Sequence, residues 1–143
     1  MSEQDNIRIA NEYVDALNAH DYDRLRAYHS EFFQSLMPGQ PGPAGEAGHR
    51  AFLEANWTAF PDLTFQITQT IASGDYVVDT WVGTGTHSGP MMTPAGASVP
   101  PTGRKGSIPG IDLFEIKNGK IVRADVYFDT MTLMAQLGLV PGM

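Results

Sequence analysis

The order of elements predicts an α+β protein, with three N-terminal helices packed on one face of a strongly bent, mostly antiparallel sheet. Three observations carry this. Apolar residues recur at helical spacing through most of the chain before Pro61, and strict alternation takes over after it. The stretch from Gly110 to Asp129 then reads as two strands joined at Asn118-Gly119. A sheet bent this far can close into a cone whose mouth is a pocket. The chain of 143 residues, 42% of them hydrophobic, is expected to form a single domain over 1-143 with room for a proper core.

From about Asp5 to Ala19, Ile7, Ala10, Tyr13, Val14 and Leu17 make one apolar stripe, so the chain opens with an amphipathic helix. Asp21 is the expected N-cap of a second short helix reaching Tyr28, and Glu31 to Met37 is the expected first strand. Pro38 to Gly45 is a Pro/Gly loop. Phe52, Leu53, Asn56, Trp57 and Phe60 mark a third helix from Glu46, which Pro61 stops because proline cannot continue the hydrogen-bond ladder. Leu63, Phe65 and Ile67 alternate with polar residues in one strand, and Tyr76 to Thr86 forms the next after the turn Ser73-Gly74-Asp75. Ser88 to Lys105, rich in Pro and Gly and holding Met91-Met92, is too long for a minimal turn and too apolar for plain linker. Past Asp129, a helical turn or two over Met131 to Leu137 ends at Gly138.

The hairpin fixes where carboxylates point. A three-residue loop with Gly119 in the left-handed conformation opposes Phe114 to Val122 and Asp112 to Ala124. One face then carries Asp112, Phe114, Ile116, Val122, Ala124, Val126 and Phe128, and the other Glu115, Lys117, Arg123, Asp125 and Tyr127. A two-residue turn without a bulge would put Arg123 and Asp125 inward and segregates the residues less well. Asp112 is the only charge on the apolar face, where a carboxylate needs either a hydrogen-bonding partner or a chemical role.

Composition narrows the function classes. A net charge of -7 with no Lys/Arg cluster argues against nucleic acid or an anionic membrane surface as partner. No apolar run approaches a transmembrane span, and Met1 to Asp5 lacks the basic start of a secretory signal, so a cytoplasmic location is expected. Zero cysteines exclude disulfides and thiol chemistry. His20, His29, His49 and His87 show no metal-motif spacing, and neither metal nor cofactor is expected.

The ordered strings Gly48-His49-Arg50-Ala51-Phe52-Leu53, Phe60-Pro61-Asp62-Leu63, Gly74-Asp75-Tyr76-Val77-Val78, Gly85-Thr86-His87-Ser88-Gly89, Pro100-Pro101-Thr102-Gly103-Arg104, Gly110-Ile111-Asp112, Asn118-Gly119-Lys120-Ile121-Val122 and Gln136-Leu137-Gly138 resemble the SnoaL-like polyketide cyclase family. The resemblance covers nearly the whole chain. It implies the nuclear transport factor 2-like cone, which also hosts ketosteroid isomerase and many unrelated functions. It further implies a cofactor-free enzyme that closes a polyketide ring by intramolecular aldol chemistry, with a last-strand aspartate near a histidine on the preceding strand. Counted from the Asn118-Gly119 turn, those two positions are Val126 and Asp112 here. Either the carboxylate has moved one strand over or the reaction is absent. Many relatives carry an Asp-His pair on the first strand, where this chain has Gln34-Ser35.

Aldol closure and ketosteroid-type isomerisation both need a base for a proton α to a carbonyl and a donor for the enolate oxygen. Asp112, its pKa raised by Phe114 and Val126, suits either role; the plainer reading is a buried Asp satisfied by a neighbour. Asp79 joins it if Val77, Asp79 and Trp81 face the pocket, whereas the favoured register turns Val78, Thr80 and Val82 inward and leaves Asp79 solvated. His87 ends that strand at the loop as a donor or base, or as a rim histidine without a role, the favoured reading. Asp129 reads as a helix cap. Candidate pocket walls are Tyr13, Leu17, Tyr28, Gln34, Phe52, Trp57, Trp81, Met91, Phe114, Val126 and Phe128.

The leading expectation is therefore an acid/base enzyme acting on a hydrophobic small-molecule carbonyl compound in biosynthesis. Two alternatives stand beside it. One is hydrolytic opening of an epoxide, with Asp79 and Asp112 close around a water; the other is a non-catalytic binding or resistance protein using the apolar cone alone. Pairing through the open sheet face, with Ile111, Leu113 and Tyr127 outward, leads to the expectation of a homodimer.

Overall fold

A reciprocal cap starts the chain. In the computed structural model, which describes residues 2–92 and 96–140, the Ser2 hydroxyl accepts the Asp5 N–H while the Asp5 carboxylate accepts the Ser2 N–H. The first helix, α1 (Glu3–Asn18), therefore begins earlier than the apolar periodicity alone indicates. Its stripe of Ile9, Ala10, Tyr13, Val14 and Leu17 is buried. Asp21 caps α2 (Tyr22–Arg26) by accepting the Arg24 N–H, as its position before an apolar turn predicts. The first strand, expected at Glu31 to Met37, is instead β1 (His29–Gln34). After the Pro/Gly loop, α3 (Glu46–Ala59) runs up to the proline that stops it.

The strands follow as β2 (Thr64–Ser73), β3 (Tyr76–Thr86), β4 (Met91–Met92), β5 (Ser98–Val99), β6 (Lys105–Lys117) and β7 (Lys120–Phe128), before α4 (Thr130–Gln136). The segment from Ser88 to Lys105 holds the small β4–β5 hairpin; its residues 93–95 lie outside the described set. Asp129 caps α4, accepting both the N–H and the O–H of Thr132, and Gly138 ends the chain's last helix at φ +72°, a conformation that disfavours any side chain.

Five strands form one sheet in the order β1-β7-β6-β3-β2, antiparallel except for the parallel pair β1–β7. The β6–β7 register differs from the expected one. Asn118 and Gly119 have φ of +52° and +77°, a two-residue turn of the mirror-image type, and Ile116 pairs with Ile121 rather than Lys120. A bulge at Val122 then sets Phe114 opposite Ala124 and Asp112 opposite Val126. The two-residue turn moves the pairing by one residue from expectation and the bulge by one more, and the resulting two-residue shift preserves the face of every later side chain. Asp112, Phe114, Ala124, Val126 and Phe128 thus share the inner face as expected, while Ile121 replaces Val122 in the core.

Along β3 the expected register is reversed. Val77, Asp79, Trp81 and Gly83 are buried, and Val78, Thr80 and Val82 take the outer face. Helix α1 lies against β2 and β3, and the core between them is built on Tyr13, Leu25, Val77, Phe114, Ile116 and Ile121. Each such large side chain taken from water contributes about 1.5–3 kcal/mol. Ile111, Tyr127 and Tyr76 stand exposed on the other face. Among the described residues no helix is long and apolar enough to cross a membrane.

Candidate active site

Between the helices and the inner sheet face lies a cavity of about 890 Å³, its open mouth included. A concave, mostly apolar space with a few polar groups is the kind of site that takes a small organic ligand. Of the candidate walls, Tyr13 and Leu17 from α1, Phe52 from α3, Trp81 from β3, Phe114 from β6, and Val126 and Phe128 from β7 line it. Its wall is overwhelmingly apolar, and no Lys or Arg is among its described lining residues.

Asp112 is the carboxylate in that wall. It is half-buried and turned into the cavity, and loss of hydration pushes its pKa up to about 7, a shift reinforced by the charge of Asp79. The Trp81 indole N–H opposes that shift from nearby, although it makes no hydrogen bond of regular geometry. Trp81 reaches this place because its cross-strand partner is Gly110: a Cβ there would overlap the indole ring.

Asp79 is the direct cross-strand partner of Asp112 on the same face. It is fully buried, contrary to the solvated position favoured from the alternation pattern. Its Oδ1 accepts the Thr70 hydroxyl at 2.6 Å, its Oδ2 has no partner, and burial raises its pKa. Asp79 does not line the cavity itself. The outward Asp125 makes the contrast plain: it accepts from Nε and one terminal nitrogen of Arg123 and from the Leu36 N–H, so both of its oxygens are satisfied locally.

The remaining expected residues sit elsewhere. His87 is not at a rim but fully buried beside Phe60, outside the cavity lining. The Thr102 N–H points at its Nδ1, which must therefore accept, and the Thr102 hydroxyl lies 3.0 Å away. The proton of the neutral ring then belongs on Nε2, which has no partner. Tyr28 is spent on Glu12, with 2.8 Å between hydroxyl and carboxylate, and Gln34 falls on the exposed side of β1. Trp57 stacks on His20, and Met91 packs with Phe60 and Leu137. None of these four lines the cavity.

A polar cluster that spacing did not reveal occupies the helical wall. The Tyr13 hydroxyl lies 2.7 Å from His29 Nε2, and His29 Nδ1 lies 2.5 Å from Glu46 Oε1. The Tyr22 hydroxyl donates to Glu46 Oε2 at 2.5 Å and lies 3.1 Å from His49 Nδ1. Tyr13 and His49 both line the cavity. Burial lowers the pKa of His29 against the pull of Glu46, and burial with the neighbouring His29 pushes His49 down to about 3. The available signal was on α3, where Glu46, His49 and Leu53 fall on one helical face.

A bent sheet closed by helices over an apolar cavity, with one carboxylate among its described lining residues, defines a nuclear transport factor 2-like cone. The chain belongs to the SnoaL-like polyketide cyclase family, whose model matches residues 7–137. Solved structures share the fold. AclR of Streptomyces galilaeus, a proposed hydroxylase, is 24% identical with a TM-score of 0.86, covering 99% of this chain and 86% of its own. A proposed SnoaL-like polyketide cyclase from Jannaschia sp. CCS1 is 22% identical with a TM-score of 0.85 over 97% of this chain and 95% of its own. IdmH of Streptomyces antibioticus, a proposed polyketide cyclase, is 27% identical with a TM-score of 0.80 over 93% and 98% of the two chains. Among curated proteins, none matches in sequence.

Proposed function

We propose that the protein is a cofactor-independent cyclase that closes a ring of a hydrophobic carbonyl compound by intramolecular aldol chemistry, with Asp112 as general acid/base. The observation that carries this is Asp112, the one carboxylate among the described lining residues, whose pKa burial has moved to about 7. A base matched to neutral pH removes a proton α to a carbonyl efficiently, since half of it is ionised and the proton it gains is not held too weakly. The same carboxyl group then carries that proton for return. Family membership supports a cyclase-type activity, and Asp112 stands beside Val126, where the resemblance would put the aspartate, on the neighbouring strand.

The test is carbon-acid exchange. Hydrophobic 1,3-diketones incubated with the protein in D2O are expected to exchange their α-protons, followed by proton NMR, and Asp112→Asn is expected to slow the catalysed exchange by about 10²-fold or more. Tight binding without exchange in the wild type would favour the non-catalytic carrier.

Epoxide hydrolysis is the second reading, favoured by the direct pairing of Asp79 with Asp112. Against it, Asp79 lies behind the wall rather than in it. A homodimer through the exposed face bearing Ile111 and Tyr127 belongs to the proposal as well, read by sedimentation.

A further inference from the structure

We propose that Tyr13, His29 and Glu46 form a second acid–base unit, on the helical wall of the cavity, which binds a hydroxyl or enol group of a neutral ligand and takes its proton. It deepens the reading of the cavity as an acid–base site and rests on it only for the identity of the reaction.

The direction of every hydrogen in the cluster follows from what each group can do. A carboxylate only accepts, so the contact at Glu46 Oε1 puts a proton on His29 Nδ1. The neutral ring then has its lone pair on Nε2, and the 2.7 Å contact there is an O–H donated by Tyr13. Tyr22 has one proton, given to Glu46 Oε2, so its contact with His49 requires His49 Nδ1 to donate to the Tyr22 oxygen. Both chains of hydrogen bonds therefore run toward Glu46. Their far ends, Tyr13 and His49, line the cavity, and each has a lone pair left over, on the Tyr13 oxygen and on His49 Nε2.

Such a wall recognises a hydrogen-bond donor. It does not suit an anionic ligand, because the described lining residues include no Lys or Arg and Asp112 already places a carboxyl group within electrostatic reach of Tyr13. Proton transfer balances as follows. The ligand O–H bond breaks and its proton goes to the Tyr13 oxygen; Tyr13 gives its own proton to His29 Nε2; the imidazolium so formed stays paired with the Glu46 carboxylate, and the ligand is left as an oxyanion facing a Tyr13 O–H. Reversal returns the proton. His29 feels Glu46, Tyr13, Tyr22, His49 and, at longer range, Arg26; Glu46 favours its cation, but burial outweighs that pull. The imidazolium and the oxyanion therefore exist only transiently, and what persists with ligand bound is a strengthened Tyr13 O–H to Nε2 hydrogen bond. The Glu46 side chain is 33% exposed, which gives the unit an outlet to solvent, while that of His29 is 1% exposed.

The experiment is nitrogen-15 NMR of the histidine-labelled full chain, with 2-naphthol as probe and naphthalene as the control lacking a hydroxyl. In the free protein the His29 signals are expected to show a protonated Nδ1 and a bare Nε2. Saturating 2-naphthol is expected to move Nε2 toward the protonated position, further with more acidic ring-substituted naphthols, and naphthalene is expected to leave it in place. In Tyr13→Phe the response disappears, and the roughly tenfold preference for naphthol over naphthalene expected from one hydrogen bond falls toward parity. Glu46→Gln should weaken the response; if that variant does not fold, the tautomer in the wild type and the Tyr13→Phe comparison still decide. The opposite tautomer, an unmoved Nε2 at saturation, or an undiminished response in Tyr13→Phe would overturn the proposal. The same titration in Asp112→Asn separates the two claims: a retained nitrogen response upholds this unit whatever becomes of α-proton exchange, and a lost one assigns the proton chemistry to Asp112 alone and overturns it.

Discussion

Asp79 and Asp112 are direct partners across β3 and β6, on the same face, and only Asp112 reaches the cavity. The strand pairing puts two carboxyl groups side by side, one of them fully buried, so charging one makes charging the other harder. Burial is the larger cause of the Asp112 shift and Asp79 the smaller.

Asp79→Asn removes the neighbouring charge and keeps an oxygen for the Thr70 hydroxyl. The Asp112 titration is expected to move down, by about half a unit to one unit. Carboxyl-carbon NMR of the variant checks it, and an unmoved titration would leave burial as the sole cause.

Trp81→Phe works in the opposite direction. The indole N–H is the group that lowers the Asp112 pKa, so its loss is expected to raise the titration further while the aromatic wall is kept. The pH profile of α-proton exchange should shift to higher pH with it.

Gly110→Ala places a methyl group where the Trp81 ring lies. Overpacking of this sort costs about 1–3 kcal/mol, read by denaturant unfolding, and it pushes the indole away from Asp112. Tryptophan fluorescence should change in the same variant; an unaltered spectrum and stability would mean the ring has room the structure does not show.

The raised Asp112 pKa also has a stability consequence. In the unfolded chain an Asp titrates near 3.9, and in the folded protein near 7. Below about pH 3 both states are neutral and the group costs nothing. Between pH 4 and 7 the unfolded chain ionises first, and above pH 7 the folded state carries the full penalty, at most about 4 kcal/mol. Asp112→Asn is therefore expected to be more stable than the wild type at pH 8 and to lose that advantage as the pH falls to 4. Unfolding midpoints across that range test it; a pH-independent difference would contradict it.

Much of the fold was legible because the signals are local. Pro61 stops α3, Asp21 and Asp129 cap their helices, and the alternation of Tyr76 to Thr86 marks β3 to its ends. The face of Asp112 was legible for a subtler reason. The two-residue turn and the bulge at Val122 each moved the pairing by one residue, two in all, so inward residues stayed inward. The face of Asp79 was not, since Val77, Asp79 and Trp81 alternate with Val78, Thr80 and Val82 and both sets contain apolar side chains. Nor was the cluster around Glu46. Tyr13, His29 and Glu46 come from α1, β1 and α3, and only the tertiary packing brings them together. The strand holding His29 starts there rather than at Glu31, which hid the histidine in an expected loop.

The most direct test of the account is the titration of Asp112 itself, by carboxyl-carbon NMR of the apo protein with the signal assigned through Asp112→Asn. A pKa near 7 is predicted and would establish a desolvated base in the cavity. A value near the ordinary 3.9 would mean that the carboxylate is well solvated, and the proposal that Asp112 drives ring closure would be wrong.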